Sequence, residues 1–204
     1  MSKKEGGNLI VLDREKPYKL QVLESLLRRL SVTEHEYPKF QKMYFQLRKG
    51  YIGELRSDRE WNEIRMPEEH YLLFNYETEN ALGNINQIDT IMLSRYFVFI
   101  LEVKNISGRI DFDDEKRQFT NLKDDNTIEV YTNPEDQVER HIRTIERIMR
   151  ILNIHLPIVG AIVFSNTSTI IGQKPKRIPA FHLSGLNSHV NYLFKKYSND
   201  LFLI

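Results

Sequence analysis

The sequence contains no cysteine among its 204 residues. This absence excludes disulfide bonds, zinc sites built from thiolates and a cysteine nucleophile, and it fits a reducing compartment. The chain also lacks a long hydrophobic run. The longest runs, Tyr96–Leu101 and Ile158–Phe164, are far shorter than the roughly 18 residues that a membrane helix needs. We therefore predict a cytoplasmic protein that does not enter a membrane.

The chain has no large excess of either charge. Its 29 Lys and Arg residues and 28 Asp and Glu residues leave a formal net charge of +1. A strongly basic, histone-like binder is therefore excluded, and any contact with nucleic acid must use a local patch. A hydrophobic content of 41% with 28% charged residues is typical of a folded globular protein, and the length suits one sizeable domain.

The spacing of apolar residues changes along the chain from helical to extended and back. After a polar, irregular start at residues 1–16, it predicts helices from Tyr18 to Ser31 and from Pro38 to about Arg65. Further elements are predicted as strands at 71–76, 87–93 and 96–104, a hairpin at 110–122, a helix at 135–152, strands at 158–164 and 181–183, and a helix at 185–197. This order predicts an α/β fold with a mixed β-sheet flanked by helices. Residues 1–45 would form a helical N-terminal extension, and residues 46–204 the α/β domain.

Three charged residues lie in the predicted strands 87–93 and 96–104: Asp89, Glu102 and Lys104. A two-residue loop at Ser94 and Arg95 would place Glu102 diagonally from Asp89, and a four-residue loop from Ser94 to Phe97 would place the two directly opposite. Either loop puts the three charged side chains on one face of the sheet, where one metal ion can bridge both carboxylates. A loop of odd length would break this arrangement.

The strands around these charges are apolar on both faces, so unpaired charges there would be costly. Hard oxygen ligands select Mg²⁺ or Mn²⁺. Lys104, two residues beyond Glu102, would lie beside that ion, where it could orient or deprotonate a water molecule and offset the charge of a phosphate. The alternative is a buried ion pair between Lys104 and Asp89 or Glu102 that caps the sheet.

Two helical segments add polar groups that could reach the same place. Gly50, Gly53 and Glu54 share one face of the second predicted helix. Each glycine costs a helix about 1 kcal/mol, which suggests a close approach of this helix to the sheet, bringing Glu54 to the metal. The alternative for Glu54 is an exposed helix carboxylate. Gln137 lies in the first turn of the helix that follows Asn133 and Pro134, at an end that favours anions.

Together these segments resemble the nuclease-related domain (NERD) family, which is related to the restriction-endonuclease-like superfamily with its D…(D/E)xK site. The resemblance covers roughly residues 45–170 and rests on four segments in order, which are Gly50–Glu54, Gln87–Asp89, Ile100–Gly108 and Asn133–Gln137. It implies a restriction-endonuclease-like mixed sheet flanked by helices, so that residues 46–204 would be a nuclease-related α/β domain.

The resemblance also implies roles for individual residues. Asp89 and Glu102 would be metal ligands, and Lys104 the catalytic lysine. Glu54 would be an acidic contributor from a helix, and Gln137 the glutamine that follows the core strands. Related nucleases often have a tyrosine four residues after that glutamine, where this sequence has a histidine at position 141.

We therefore predict a nuclease that depends on Mg²⁺ or Mn²⁺ and hydrolyses phosphodiester bonds in nucleic acid. DNA is the expected substrate. Arg140, Arg143 and Arg147 form a basic stripe beside Gln137 that could follow a phosphate backbone. The alternative for this stripe is an ordinary solvated helix face with i,i+4 ion pairs. Two alternatives to the nuclease are a catalytically inactive nucleic-acid-binding or assembly module that keeps the fold, and a structural domain with an internal salt-bridge cluster.

Overall fold

The computed structural model describes residues 3–5, 8–79 and 83–198. Within these residues the helices are α1 (Tyr18–Leu27), α2 (Tyr37–Glu63), α3 (Pro134–Ile151) and α4 (Leu186–Tyr197). The strands are β1 (Lys3–Glu5), β2 (Asn8–Leu12), β3 (His70–Glu79), β4 (Ile85–Ser94), β5 (Val98–Lys104), β6 (Gly108–Asp113), β7 (Gln118–Leu122), β8 (Ile128–Tyr131), β9 (Ile158–Phe164), β10 (Thr169–Ile171) and β11 (Ala180–His182).

The central sheet has seven strands in the order β1-β2-β3-β4-β5-β9-β11. The pairs β2–β3, β5–β9 and β9–β11 are parallel, whereas β1–β2, β3–β4 and β4–β5 are antiparallel. A second sheet of four strands has the order β10-β6-β7-β8. The predicted mixed α/β fold is therefore confirmed.

Helices cover both faces of the central sheet. Residues of α2 and α4, among them Trp61 and Phe194, pack with Phe99 of β5 on one face. On the other face, Ile145 and Met149 of α3 pack with neighbouring β4 and β5 side chains. Because β5 and β9 are covered on both sides, their sequences are almost continuously apolar, as is usual for buried parallel strands.

The first turn of α3 is held by specific polar contacts. The Asn133 side chain caps this helix by accepting the N–H of Glu135 at 2.9 Å, and Pro134 occupies the first helical position, where its missing N–H costs nothing. The fully buried carboxylate of Glu135 accepts the main-chain N–H groups of Arg177 at 2.9 Å and Ile178 at 3.1 Å. These contacts fix the helix turn that carries Gln137.

The N-terminal segment differs from the sequence prediction. Residues 1–16 were predicted to be irregular, yet residues 3–5 and 8–12 form strands, and β2 joins the central sheet beside β3. The short strands β8 and β10 were also missed. The predicted domain boundary at residue 45 stays a prediction, and α2 crosses that position without a break. Among the described residues, no helix combines the length and apolar character required to cross a membrane.

Candidate active site

The candidate site lies where β4 and β5 separate. The two strands pair from Leu93–Val98 to Thr90–Leu101, which is the register of the four-residue loop, so the next step along the ladder sets Asp89 opposite Glu102. The alternative prediction of a two-residue loop is therefore wrong. At Asp89 the ladder ends, and the carboxylate Oδ2 accepts the main-chain N–H of Val103 at 2.8 Å. A hydrogen bond between the side chain of Asp89 and β5 thus replaces the main-chain pairing at the point where the two strands separate.

Glu102 is the most deeply buried acid of the site, with a side chain 2 % exposed. Its Oε1 accepts a hydrogen bond from Lys104 Nζ at 2.6 Å. Its Oε2 lies 3.3 Å from Nε2 of His141, without the geometry of a hydrogen bond. In the described part of the chain, Oε2 therefore has no hydrogen-bond partner, an uncommon state for a buried carboxylate oxygen.

Lys104 links β5 to α3. Its ammonium group donates to Glu102 and, at 3.0 Å, to Oε1 of Gln137. The lysine side chain is 23 % exposed, so it lies at the boundary between the sheet interior and solvent. The ion pair expected from the structural alternative is therefore present between Lys104 and Glu102, and Gln137 accepts a further hydrogen bond from the same ammonium group.

The acids of the pocket are not fully compensated by cations. Burial raises the pKa of Asp89 well above its usual value, and the carboxylates of Glu102 and Glu54 raise it further. Burial would also raise the pKa of Glu102, but Lys104 and His141 hold it below its usual value. Among the described residues Lys104 lowers the pKa of Asp89 only in part, so the pKa stays raised, and Asp89 is only partly buried.

Lys104 behaves as a cation. Burial alone would lower the pKa of its ammonium group, but the nearby carboxylates of Glu102 and Asp89 outweigh this effect and the pKa is raised. At neutral pH the side chain is consequently protonated, which makes Lys104 a hydrogen-bond donor and a positive charge rather than a proton acceptor.

Helix α2 brings Glu54 to the edge of this pocket. A Cβ atom at Gly53 would lie 2.6 Å from Cβ of Asn105 and 2.7 Å from Oγ of Ser165, so only glycine allows the helix to lie this close to the strand ends. Gly50 differs, because a Cβ atom there would meet nothing within 4 Å and the residue is exposed. The close approach predicted for both glycines is thus correct for Gly53 and wrong for Gly50.

The carboxylate of Glu54 is paired with a residue that the sequence analysis did not select. Arg14, which follows β2, donates to Glu54 Oε2 at 2.5 Å, and its side chain is 1 % exposed. Burial raises the pKa of Glu54, and Arg14 only partly offsets the effect. The only signal in the sequence was a run of four charged residues, 13–16, directly after a short apolar run.

The predicted metal ligands share this pocket but do not form a compact cluster. Among the described residues, no group of three or more His, Cys, Asp or Glu side chains is close enough to hold a metal ion. The opposed pair of Asp89 and Glu102 therefore remains the candidate ligand set, and Glu54 is near enough for its charge to raise the pKa of Asp89, with one carboxylate oxygen occupied by Arg14.

The arginines predicted to bind nucleic acid have different surroundings. Arg140, three residues after Gln137, is exposed on α3. Arg143 is also exposed and lies 4.0 Å from Glu139, as the i,i+4 alternative expected. Arg147 donates to the main-chain carbonyl of Glu79 at 2.5 Å, which ties α3 to the end of β3. Their role in nucleic-acid binding stays a prediction.

The mixed sheet flanked by helices, with an acid pair and a lysine where two strands separate, is the arrangement of a nuclease-like α/β domain. The family model described as nuclease-related domain (NERD) matches residues 49–165. This match covers more than half of the chain, so the chain belongs to the nuclease-related domain family. The resemblance noted in the sequence is therefore confirmed. Comparison with curated proteins gives no match, and comparison with solved structures gives none either.

Proposed function

We propose that the protein hydrolyses phosphodiester bonds in nucleic acid, with DNA as the substrate and Mg²⁺ or Mn²⁺ as the cofactor. The observation that carries the proposal is the surplus of acid where β4 and β5 separate. Among the described residues, four buried or partly buried carboxylates, those of Glu54, Asp58, Asp89 and Glu102, lie there with the cationic side chains of Arg14 and Lys104, and His141 lies beside Glu102.

The donor set suits a divalent metal ion. Glu102 Oε2 is buried without a hydrogen-bond partner among the described residues, and burial together with the neighbouring carboxylates of Glu102 and Glu54 raises the pKa of Asp89. Mg²⁺ is commonly held by one or two protein carboxylates together with water and substrate phosphates. Asp89 and Glu102 would hold the ion, with Glu54 contributing directly or through water. When bound, a divalent ion supplies Lewis-acid charge to a phosphoryl oxygen and lowers the pKa of water.

Lys104 would then act as a fixed cation and donor. Glu102 and Gln137 accept two of its hydrogen bonds, and a third N–H remains for the attacking water or for a non-bridging phosphate oxygen. Because the pKa of this lysine is raised, we favour orientation of the water and neutralisation of phosphate charge over proton removal. Preorganised donors of this kind stabilise charge that develops in the transition state.

The substrate would approach along the open side of this pocket. Arg140 is the basic residue nearest to Gln137 on α3 and is exposed, so it is the first candidate for a phosphate contact. Arg143 would add a second, weaker contact because Glu139 shares its charge. A contact by Arg147 would compete with its hydrogen bond to the Glu79 carbonyl.

The proposal is tested by replacing Lys104 with alanine. Wild-type protein, Lys104→Ala and a matched control, Lys116→Ala, are incubated with labelled single-stranded DNA, double-stranded DNA and RNA, with Mg²⁺ or with EDTA. Lys116 suits the control because its side chain is 70 % exposed. We expect metal-dependent cleavage by the wild type and the control, and a loss of at least about 100-fold in Lys104→Ala.

Fluorescence of Trp61, the single tryptophan, reports in the same samples that the fold is retained. Equal cleavage by Lys104→Ala would reject the mechanism. Wild-type protein that binds DNA with or without Mg²⁺ and yields no product at high protein concentration would instead support the inactive binding module.

A further inference from the structure

Arg14 lies outside the segment that the family model matches, yet it reaches the candidate active site. The strand β2 pairs in parallel with β3, with an irregularity in register between Ile10 and Leu12. Irregular positions of this kind re-aim the chain at the end of a strand. Two residues later the Arg14 guanidinium lies 5.4 Å from the centre of the Phe74 ring and is almost fully buried.

Each N–H of the Arg14 guanidinium has its own acceptor. The Nε and Nη2 atoms donate to the two carboxylate oxygens of Asp58 at 2.6 and 3.1 Å. Nη1 donates to Oε2 of Glu54 at 2.5 Å and also to Oδ1 of Asn75. The remaining Nη2 hydrogen is directed to the main-chain carbonyl of Asp89 at 2.9 Å. A guanidinium offers five donors in a fixed planar fork, and all five are used.

These contacts join α2 and β4, two of the three elements that carry the candidate metal ligands. Glu54 and Asp58 are four residues apart and so share one face of α2, where their like charges would repel each other without Arg14. Asp89 belongs to β4, at the position where the ladder with β5 ends. Opposite it on β3, Asn75 adopts a positive φ of 50°, so this part of the sheet is irregular and relies on side chains for its geometry.

We infer that Arg14 is a positioning residue that fixes the carboxylate of Glu54 and the main chain of Asp89 for divalent metal binding, an inference that rests on the proposed function. Arg14 is not a catalytic residue, because its buried head group has no free donor for substrate. Lysine cannot replace it, since an ammonium group is a point charge with three donors and cannot form the planar, bidentate contact with Asp58.

The test uses the full chain with Arg14→Lys and Arg14→Gln. The matched controls are Arg28→Lys and Arg28→Gln, because the side chain of Arg28 is 76 % exposed and pairs with a neighbouring glutamate on a helix surface. The readout is the rise in melting temperature with Mg²⁺ concentration, a measure of binding that does not depend on cleavage. We expect the Mg²⁺ concentration at half effect to increase about 10- to 100-fold in the Arg14 variants, as is usual for residues that orient metal ligands.

A metal-free measurement addresses the contact itself. In EDTA, the changes in melting temperature caused by Arg14→Lys and Glu54→Gln should be non-additive in the double variant, because both alter the same contact between these two side chains. If Arg14→Gln does not fold, Arg14→Lys and Asp58→Asn carry the test, since each keeps a polar group in place and only loosens the fork.

The inference is overturned if folded Arg14→Lys responds to Mg²⁺ at the wild-type concentration. Cleavage is measured separately. If the wild type responds to Mg²⁺ but cuts no nucleic acid, the proposed function fails and the positioning role is still decided by the Mg²⁺ titration. A wild-type chain whose melting temperature does not respond to Mg²⁺ or Mn²⁺ overturns the inference regardless of any activity.

Discussion

Gln137 on α3 accepts a hydrogen bond from Lys104 on β5 at 3.0 Å. This single contact connects the first turn of a helix to the end of a buried strand. Glu102 on β5 accepts a second hydrogen bond from the same ammonium group. The two acceptors together define the direction of that group. The helix start is itself fixed by the Asn133 cap and by the buried Glu135. The position of Lys104 therefore depends on how α3 begins.

Replacing Gln137 with leucine should separate positioning from folding. The loss of the acceptor leaves Lys104 free to turn, and small misplacements of a catalytic group can cost about 10- to 100-fold in rate. The free energy of unfolding should fall by at most about 3 kcal/mol, the upper range for one hydrogen bond to a charged group. Cleavage rates and urea unfolding, compared with an exposed control, Gln173→Leu, measure both effects. A rate equal to that of the wild type would show that Lys104 needs no support from α3.

Asp89 and Glu102 should influence stability in opposite directions as pH changes. Folding raises the pKa of Asp89, so above the ordinary aspartate pKa of about 4 the unfolded chain has released a proton that the folded chain retains, and stability falls as pH rises. Folding lowers the pKa of Glu102. Its contribution is therefore present above the ordinary glutamate pKa of about 4.3 and is lost as pH falls through the folded value.

Urea unfolding in EDTA from about pH 3 to pH 8, followed by tryptophan fluorescence, measures these slopes. Asp89→Asn should flatten the decline towards neutral pH, and Glu102→Gln should flatten the loss in acid. Asp124→Asn, at an exposed position, is the control. It should change neither the decline in stability towards neutral pH nor the loss of stability in acid. Parallel pH curves for the wild type and Asp89→Asn would contradict the raised pKa.

The two glycines of α2 provide a matched pair of substitutions. Gly50→Ala adds a methyl group in open space and should raise the free energy of unfolding by about 0.5–1 kcal/mol through helix propensity alone. Gly53→Ala forces the helix away from Asn105 and Ser165 and should cost about 1–3 kcal/mol. The displacement also moves Glu54, so cleavage should decrease only in Gly53→Ala. Equal effects of the two substitutions on stability would mean that α2 can shift without strain.

The central part of the fold could be predicted because its signals are local. The apolar strands β5 and β9, the Asn-Pro start of α3 and the alternation that puts Glu102 and Lys104 on one face are all readable within a few residues. The register of β4 and β5 was left between two loop lengths, since the turn residues Ser94 and Arg95 suit either length. The hydrogen bonds that Ser94 Oγ makes with the main chain of Phe97 decide in favour of the longer loop.

The N-terminal contribution could not be predicted because its partners are distant in sequence. The strand β2 is only five residues long and pairs with β3 about sixty residues later, so no local pattern distinguishes it from a polar segment that contains a few apolar residues. The role of Arg14 depends on its contacts with Asp58, Asn75 and Asp89. These residues are far apart in the sequence, and only the tertiary structure brings them together. Gly50 and Gly53 likewise look the same in the local sequence. Only the packing of α2 shows that Gly53 lies against the strand ends and Gly50 does not.

The parallel pairing of β2 with β3 also bears on how the protein is produced in the laboratory. A fragment cut to the family boundaries would begin at about residue 49 and leave the long, partly apolar edge of β3 with no neighbour. Bare strand edges recruit other chains. Such a fragment would tend to self-associate and precipitate, so expression trials should retain the leading segment even when only the segment that matches the family is of interest.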